Sequence, residues 1–288
     1  MPTKQKFKVD WGNVMNKIKE QSTPAKNSFK DERIYTPQFS DSGVAQAEIR
    51  FLPSPDTDVP FVSVYSHSFK NAGGWFIEHC PTTLKKECPV CKANGVLWEA
   101  GDETTARNRK RKLSYYSNIL VITDKVHPEN EGKVFLFKYG IKIYEKIMKK
   151  MNPGDDALDK PIMIFDWYEG ANFKLIIEKK KVDKIDMPNY DSARFVDTPT
   201  PVGDEAKIED IHKKLYPLKN YISDSNFKSY QDLETKFVKV VGQTSQPQAP
   251  VNPNPAPKQQ NSAPTVTAPD KPESDDDFFT SLQDETEK

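Results

Sequence analysis

Residues 67–91 read HSFKNAGGWFIEHCPTTLKKECPVC and contain all three cysteines of a 288-residue chain. His67, Cys80, Cys88 and Cys91 fall at the spacing H-x12-C-x7-C-x2-C. Two thiolates two residues apart close on one zinc ion. A third thiolate and an imidazole then complete a tetrahedral site of the closed, structural kind. His79 adjoins Cys80, and neighbours along a strand point to opposite faces, so His67 is preferred as the fourth ligand. His212 lies in a helical pattern and reads as a packed or surface residue. A closed site has no position at which to activate water. The expectation is therefore one structural Zn2+ that staples a scaffold, with the function carried elsewhere.

Around this stretch the text reads mostly as strands. Residues 44–52 (VAQAEIRFL) alternate apolar and polar side chains and stop at Pro53. Residues 59–65 and 74–78 are short β-rich runs on either side of His67 and the turn Asn71-Ala72-Gly73-Gly74. Residues 119–123, 134–139, 162–168 and 173–177 are further strands. Ile141, Tyr144, Ile147, Met148 and Met151 mark a helix ended by Asn152-Pro153-Gly154. Two more helices are expected. One carries Ile208, Ile211, His212 and Leu215 on one face. The other is capped near Asp224 and shows Phe227, Tyr230, Leu233, Phe237 and Val240. The fold class expected is α+β, mainly β.

The ends differ from the body. Residues 1–30 hold seven lysines against Asp10 and Glu20, and Trp11, Val14, Met15 and Ile18 space an amphipathic helix after an arm bearing Lys4, Lys6 and Lys8. Residues 242–272 are a Pro/Gln/Asn-rich linker too poor in large apolar residues to offset chain entropy, hence expected to be disordered. Residues 273–288 are acidic, and Asp275, Asp276, Asp277, Phe278 and Phe279 read as a docking motif with charged and aromatic anchors. The net charge of zero thus hides a basic head and a tail that carries −5 over residues 241–288. Such segregation suggests a polyanionic partner and a tail that competes with it. There is no apolar run of membrane-spanning length and no signal-peptide pattern, and an odd cysteine count suits zinc better than disulfides. A reducing, cytoplasmic setting is expected.

The second chemical feature is Arg107-Asn108-Arg109-Lys110-Arg111-Lys112, followed by Leu113-Ser114-Tyr115-Tyr116. Cations neutralise phosphates and aromatic faces stack on bases of any sequence, a pattern of single-strand binding without base readout. Arg109, Lys110, Arg111, Lys112, Tyr115 and Tyr116 are the candidate contacts, with Phe137, Tyr139 and Tyr190 as possible extensions of the platform. No phosphate loop, nucleophile motif or acidic metal cluster suggests an enzyme. The rival readings are a zinc-stapled protein-interaction adaptor and a nuclease or primase accessory domain.

Several stretches taken together resemble the single-stranded DNA-binding, helix-destabilising proteins of T-even-type bacteriophages: residues 47–54 (AEIRFLPS), 66–80 (SHSFKNAGGWFIEHC), 110–120 (KRKLSYYSNIL), 128–135 (PENEGKVF) and 167–173 (WYEGANF). The resemblance implies an OB-type barrel over residues 31–241 with a zinc subdomain around residues 67–91, accessory strands and helices, and a cleft for single-stranded DNA. It implies zinc on His67, Cys80, Cys88 and Cys91, and places Phe137 and Tyr190 among cleft aromatics. It implies a basic arm, residues 1–30, for cooperative head-to-tail self-association on DNA. It also implies a tail that recruits replication and recombination proteins (polymerase, helicase loader, recombination mediator) in the infected bacterial cell. The chain departs from the family in a shorter Cys80–Cys88 spacing. Ala106 stands where a tyrosine is usual, Leu113 where threonine is, and the arm reads Lys4-Gln5-Lys6-Phe7-Lys8.

Overall fold

A computed structural model describes residues 31–154, 160–182 and 185–242. The stretches read as an amphipathic N-terminal helix, a disordered linker and an acidic tail lie outside these residues. One antiparallel sheet contains β1 (Val44–Phe51), β2 (Val62–Asn71), β3 (Gly74–His79), β4 (Lys112–Asp124), β5 (Val134–Tyr139), β6 (Asn172–Val182), β7 (Ile185–Asn189) and β8 (Arg194–Phe195). The helices are α1 (Pro89–Glu99), α2 (Glu103–Arg109), α3 (Ile141–Met151), α4 (Glu205–His212) and α5 (Tyr230–Val241).

The long strand β4 organises the sheet. Its residues 112–116 pair with β2 and its residues 119–124 with β1, while β5 pairs residues 115–120. Because β5 overlaps both ladders, β1 and β2 share one edge of β4 and β5 takes the other. The path runs β3-β2-β4-β1-β6-β7, with β5 on β4 and β8 on β6. Closure into an OB-type barrel is not seen in these ladders. Among the described residues the sheet is open and branched.

Period-2 alternation places Ala45, Ala47, Ile49 and Phe51 on one face of β1, where they meet Ile119, Val121, Phe137, Tyr139, Phe173, Leu175 and, from α3, Ile143 and Ile147. The ring of Phe51 lies 5.7 to 6.2 Å from those of Phe137, Tyr139, Phe165, Phe173 and Phe195. On the other face Arg50 is also fully buried. Its guanidinium donates to the carbonyls of Asp166 (2.9 Å) and Thr200 (2.8 Å) and to Asn172 Oδ1 (3.3 Å).

That arginine explains a correction. Residues 162–168, expected as a strand, form turns instead. Ile162, Ile164 and Phe165 plug the core, the Asp166 carboxylate accepts from the Tyr168 and Glu169 amides, and Arg50 rather than a neighbouring strand satisfies the Asp166 carbonyl. A Cβ on Gly170 would stand 2.6 Å from Arg50 Nη2, so only glycine fits there. The last helix is likewise capped by Ser229 and not near Asp224, which leaves Phe227 outside it. Leu215 lies beyond the end of α4 but still packs on its cluster. Helices α1 and α2 were not expected.

Candidate metal centre and nucleic-acid interface

His67 sits in the middle of β2, Cys80 just beyond β3, and Cys88 and Cys91 at the start of α1. Pro89 pre-sets the first turn of α1, so Cys88 at the N-cap and Cys91 one turn on face the same point. All four ligand atoms lie within 4.8 Å of one another. His67 Nε2 is 3.5 Å from Cys88 Sγ and 3.4 Å from Cys91 Sγ, and Cys80 Sγ is 3.5 Å from Cys91 Sγ. A tetrahedral ion with metal–sulfur bonds of about 2.3 Å needs sulfurs roughly 3.7 Å apart, so the donors fit a metal ion with little movement. His67 Nδ1 lies 2.9 Å from the Arg109 carbonyl, an acceptor. The proton therefore belongs on Nδ1, and the Nε2 lone pair points at the sulfurs. Before an ion binds the sulfurs, burial disfavours a charged His67, yet hydrogen bonds to Cys80 and Cys88 and their charge raise its pKa to about 9. Nε2 then carries a proton that a bound ion displaces. Hydrogen bonds from Cys88 and Cys91 hold the Cys80 thiol far below its usual range, and the same sharing pushes Cys91 up. Three sulfurs and an imidazole converging on one point are a donor set suited to a soft metal cation.

The lobe around this point has few apolar residues. Phe69 and Phe76 stack at 5.0 Å, and Phe237 of α5 meets both edge-on at 6.3 and 6.1 Å. Val90, Leu233 and Val240 complete the cluster. Helix α5 is further held by Lys228 and Lys236, which reach Glu78 at 2.5 and 2.7 Å, and by the Gly73 amide donating to the Val240 carbonyl at 2.9 Å. A Cβ on Gly73 would meet the Lys239 carbonyl oxygen at 2.0 Å. The turn needs glycine there because a helix end rests on it.

The basic run divides into separate environments. Arg107 pairs with Glu103 at 3.0 Å and lies over Trp98, on the outside of α2. Arg109 is 7% exposed and lies over Phe237. Arg111 lies 4.4 Å over the Tyr65 ring and donates to Thr82 Oγ1 at 3.1 Å, and that hydroxyl is in turn 3.1 Å from Cys80 Sγ. Lys110 and Lys112 are half-buried where α2 gives way to β4.

Tyr115 and Tyr116, consecutive on β4, face opposite sides of the sheet. Tyr116 stacks on Tyr221 at 4.7 Å, in a cluster with Val62, Val64, Leu136 and Leu218. Tyr115 stacks on Tyr144 of α3 at 4.2 Å and 4°, with Tyr139 5.6 Å away on its other side. Tyr115 shares its face with Arg111, Leu113 and, from β2, Ser63 and Tyr65, where Ser63 is exposed and the others half-buried. Phe61 and Tyr144 adjoin it, also half-buried. Tyr139 is 0% exposed and shares a 2.9 Å hydrogen bond with Ser117, and burial pushes its phenol well above the usual range. Phe137, Tyr190 and Tyr115 itself lie buried in the main core cluster, so Tyr115 backs the face while the half-buried Phe61, Tyr65 and Tyr144 line it. The structure thus puts Arg111 and Tyr115 on one face, about 13 Å apart along the strand, and adds Phe61, Tyr65 and Tyr144, which the sequence reading missed as contacts. The signal for Tyr144 was its place between Lys142 and Lys146 on a helix. Lys4, Lys6, Lys8 and the tail residues Asp275, Asp276, Asp277, Phe278 and Phe279 lie outside the described residues.

A family model described as "gp32 DNA binding protein like" matches residues 43–241, a span that takes in the four ligands, β4 and α5. The chain belongs to the gp32-like DNA-binding family. It is 35% identical over 222 residues to the single-stranded DNA-binding protein of Enterobacteria phage T2, covering 75% of this chain and 72% of that one. The protein of the same name from Enterobacteria phage T4 matches equally well, at 35% over 222 residues. A further protein of that name, from Enterobacteria phage RB70, is 40% identical over 94 residues, 31% of this chain and 80% of the relative. These are names of binding proteins and not of enzymes, as the sequence reading expects.

Proposed function

We propose that this protein binds single-stranded DNA without sequence readout, coating and protecting it in phage replication, recombination and repair. One observation carries the reading: the half-open face of β4, where Arg111 over Tyr65 shares one side of the sheet with the parallel pair Tyr115 and Tyr144. A guanidinium for phosphates next to aromatic rings for bases is what sequence-tolerant binding requires. Tyr139, fully enclosed, supports that stack from behind and does not touch DNA itself. The donor set and the family support a single structural Zn2+ on His67, Cys80, Cys88 and Cys91, which when bound closes the lobe and leaves no position for chemistry. Since β1, β4, β5 and β6 wrap one apolar cluster, an OB-type core remains our reading of the fold's centre. We assign cooperative self-association to the arm bearing Lys4, Lys6 and Lys8. Recruitment of replication and recombination proteins falls to Asp275–Asp277 with Phe278 and Phe279, and the site of action is the cytoplasm of the infected bacterium.

Fluorescence titration with poly(dT) and with duplex, at several salt concentrations, tests this. The expected result is quenching by the single strand and a log–log salt slope of about −0.7 per phosphate contact. Tyr144→Ala should weaken binding by about 1–3 kcal/mol, the value of one stacked base, because Tyr144 is half-buried whereas Tyr115 is enclosed between Tyr144 and Tyr139. Tyr116→Ala should lower stability and spare affinity. Equal affinity losses in both variants would remove the face assignment. Absence of binding even after deletion of residues 243–288 would favour the adaptor.

A further inference from the structure

We propose a phosphate-binding site on the metal lobe, outside the face described above, in the pocket lined by Phe69, Lys70, Asn71, Thr105, Asn108 and Arg109. Two cations and three neutral polar side chains line it, and among the described residues no carboxylate does. Thr105, Asn108 and Arg109 stand at i, i+3 and i+4 of α2, hence on one side of that helix. Lys70 and Asn71 come from the end of β2.

Arg109 decides the matter. It is more than nine-tenths buried, one side of its guanidinium rests on Phe237, and among the described residues that guanidinium makes no hydrogen bond or ion pair. The nearest acid, Asp102, lends it only a longer-range field, because the Asp102 carboxylate caps α2 at the Thr105 amide at 3.1 Å. A buried cation without a counter-ion is costly to keep. Arg50 Nε is sealed away from solvent without a partner, but no Arg109 nitrogen is sealed in that way, so the fork remains reachable from the pocket. A guanidinium fork fits a phosphate through two parallel hydrogen bonds, and the exposed Lys70 ammonium adds a second charge.

The source of the phosphate follows from position, and here the inference rests on the single-strand reading. Lys112 pairs with Ser66, and Lys70 lies four residues further along β2, about 13 Å at the rise of a strand. Ser66 and Lys70 lie on the side of β2 opposite Tyr65, so a single strand that crosses from the Arg111–Tyr115 face past Lys112 reaches the pocket, which would hold one backbone phosphate beyond the stacked bases.

The experiment uses the full chain and two variants, Lys70→Ala and Arg109→Gln, with an oligonucleotide length series at several salt concentrations. Each variant should reduce the magnitude of the salt slope by about 0.7, the worth of one phosphate contact. The loss should begin only above a threshold length, with metal content unchanged. An unchanged slope in Lys70→Ala, or a loss equal at all lengths, would overturn the site. A parallel titration with inorganic phosphate follows the Arg109 Nε–H resonance, assigned by its disappearance in Arg109→Gln. If the wild-type chain binds no single strand, the DNA reading fails, and this arm alone judges the pocket. A saturable shift that Lys70→Ala weakens supports a phosphate site, and no shift rejects it.

Discussion

Around Phe51 five other aromatic rings converge within a cluster of twenty-two buried residues, whereas the cluster around Cys88 has eight, two of them cysteines. Each large apolar side chain contributes about 1.5–3 kcal/mol on burial, while ordering a residue's backbone costs about 1–2 kcal/mol. The sheet core can meet that cost from its own side chains. The metal lobe, with three phenylalanine rings closing a hairpin and three helices, cannot, and the donor set at its centre supplies what the apolar residues do not. The difference teaches that one chain can fold its two halves by different chemistry, so they should fail separately.

The largest expected effect comes from Cys88→Ser. Structural zinc sites in small peptides contribute on the order of 10 kcal/mol, so the lobe should open and lose metal while the sheet stays folded. Hydrogen exchange reads this directly. Amides of β3 and α1 should lose protection and those of β1 and β6 should keep it. A unified loss across both regions would mean the two halves are one cooperative unit. The converse is Phe51→Ala, which should cost about 3–5 kcal/mol by denaturant unfolding with the metal content of the folded protein unchanged. Metal loss in this variant would break the comparison from the other side.

How much of this was legible depends on what held each element. Strand β1 could be read because its side chains alternate against a core, β3 and β5 as short β-rich runs, and the four ligands because thiolate spacing is a chemical constraint. Strand β2, expected over residues 59–65, instead runs to Asn71 and takes in His67. Helix α1 was missed because its inward stripe includes Asn94, whose amide donates to the Ala106 carbonyl at 3.0 Å where a leucine would have signalled a helix. Residues 162–168 misled because Ile162, Ile164 and Phe165 are buried without a ladder, the Asp166 carbonyl being satisfied by Arg50 from 116 positions earlier. The consecutive Tyr115 and Tyr116 looked like one platform, and only the pairing of β4 with β2 and β5 separates them. Local pattern carried what local physics fixes, and long-range hydrogen bonds carried the rest.

Within the metal lobe lies a contact that can be weakened alone. Gly73→Ala would drive a methyl group into the Lys239 carbonyl and push the end of α5 away from the β2–β3 turn. Overpacking of this kind costs about 1–3 kcal/mol. The loss should appear as faster exchange in α5 and β3, with metal retained at saturating concentration and β1 untouched. Wild-type exchange rates throughout α5 would mean that the Lys228 and Lys236 contacts to Glu78 hold the helix without the turn.

The smallest effect should be electrostatic and confined to the sheet. Asp124 is buried at the end of β4, where its carboxylate accepts from the Val126 and His127 amides, the Tyr35 hydroxyl and Asn130 Nδ2 at 2.9 to 3.1 Å. Burial alone would raise its pKa, but these four donors outweigh it and hold the carboxyl below the ordinary value. A carboxyl depressed in the folded state stabilises the protein fully above its unfolded pKa of about 3.9, and that contribution is lost as pH falls through the lower, folded value. Asp124→Asn keeps the shape but turns an acceptor into a donor toward Asn130, at a cost of about 1 kcal/mol near neutral pH. The variant should therefore lose less stability than the wild type when both are taken from pH 5 to pH 2. Parallel acid limbs for the two proteins would place the acid sensitivity of the sheet in other carboxylates and leave the Asp124 cluster a purely geometric anchor.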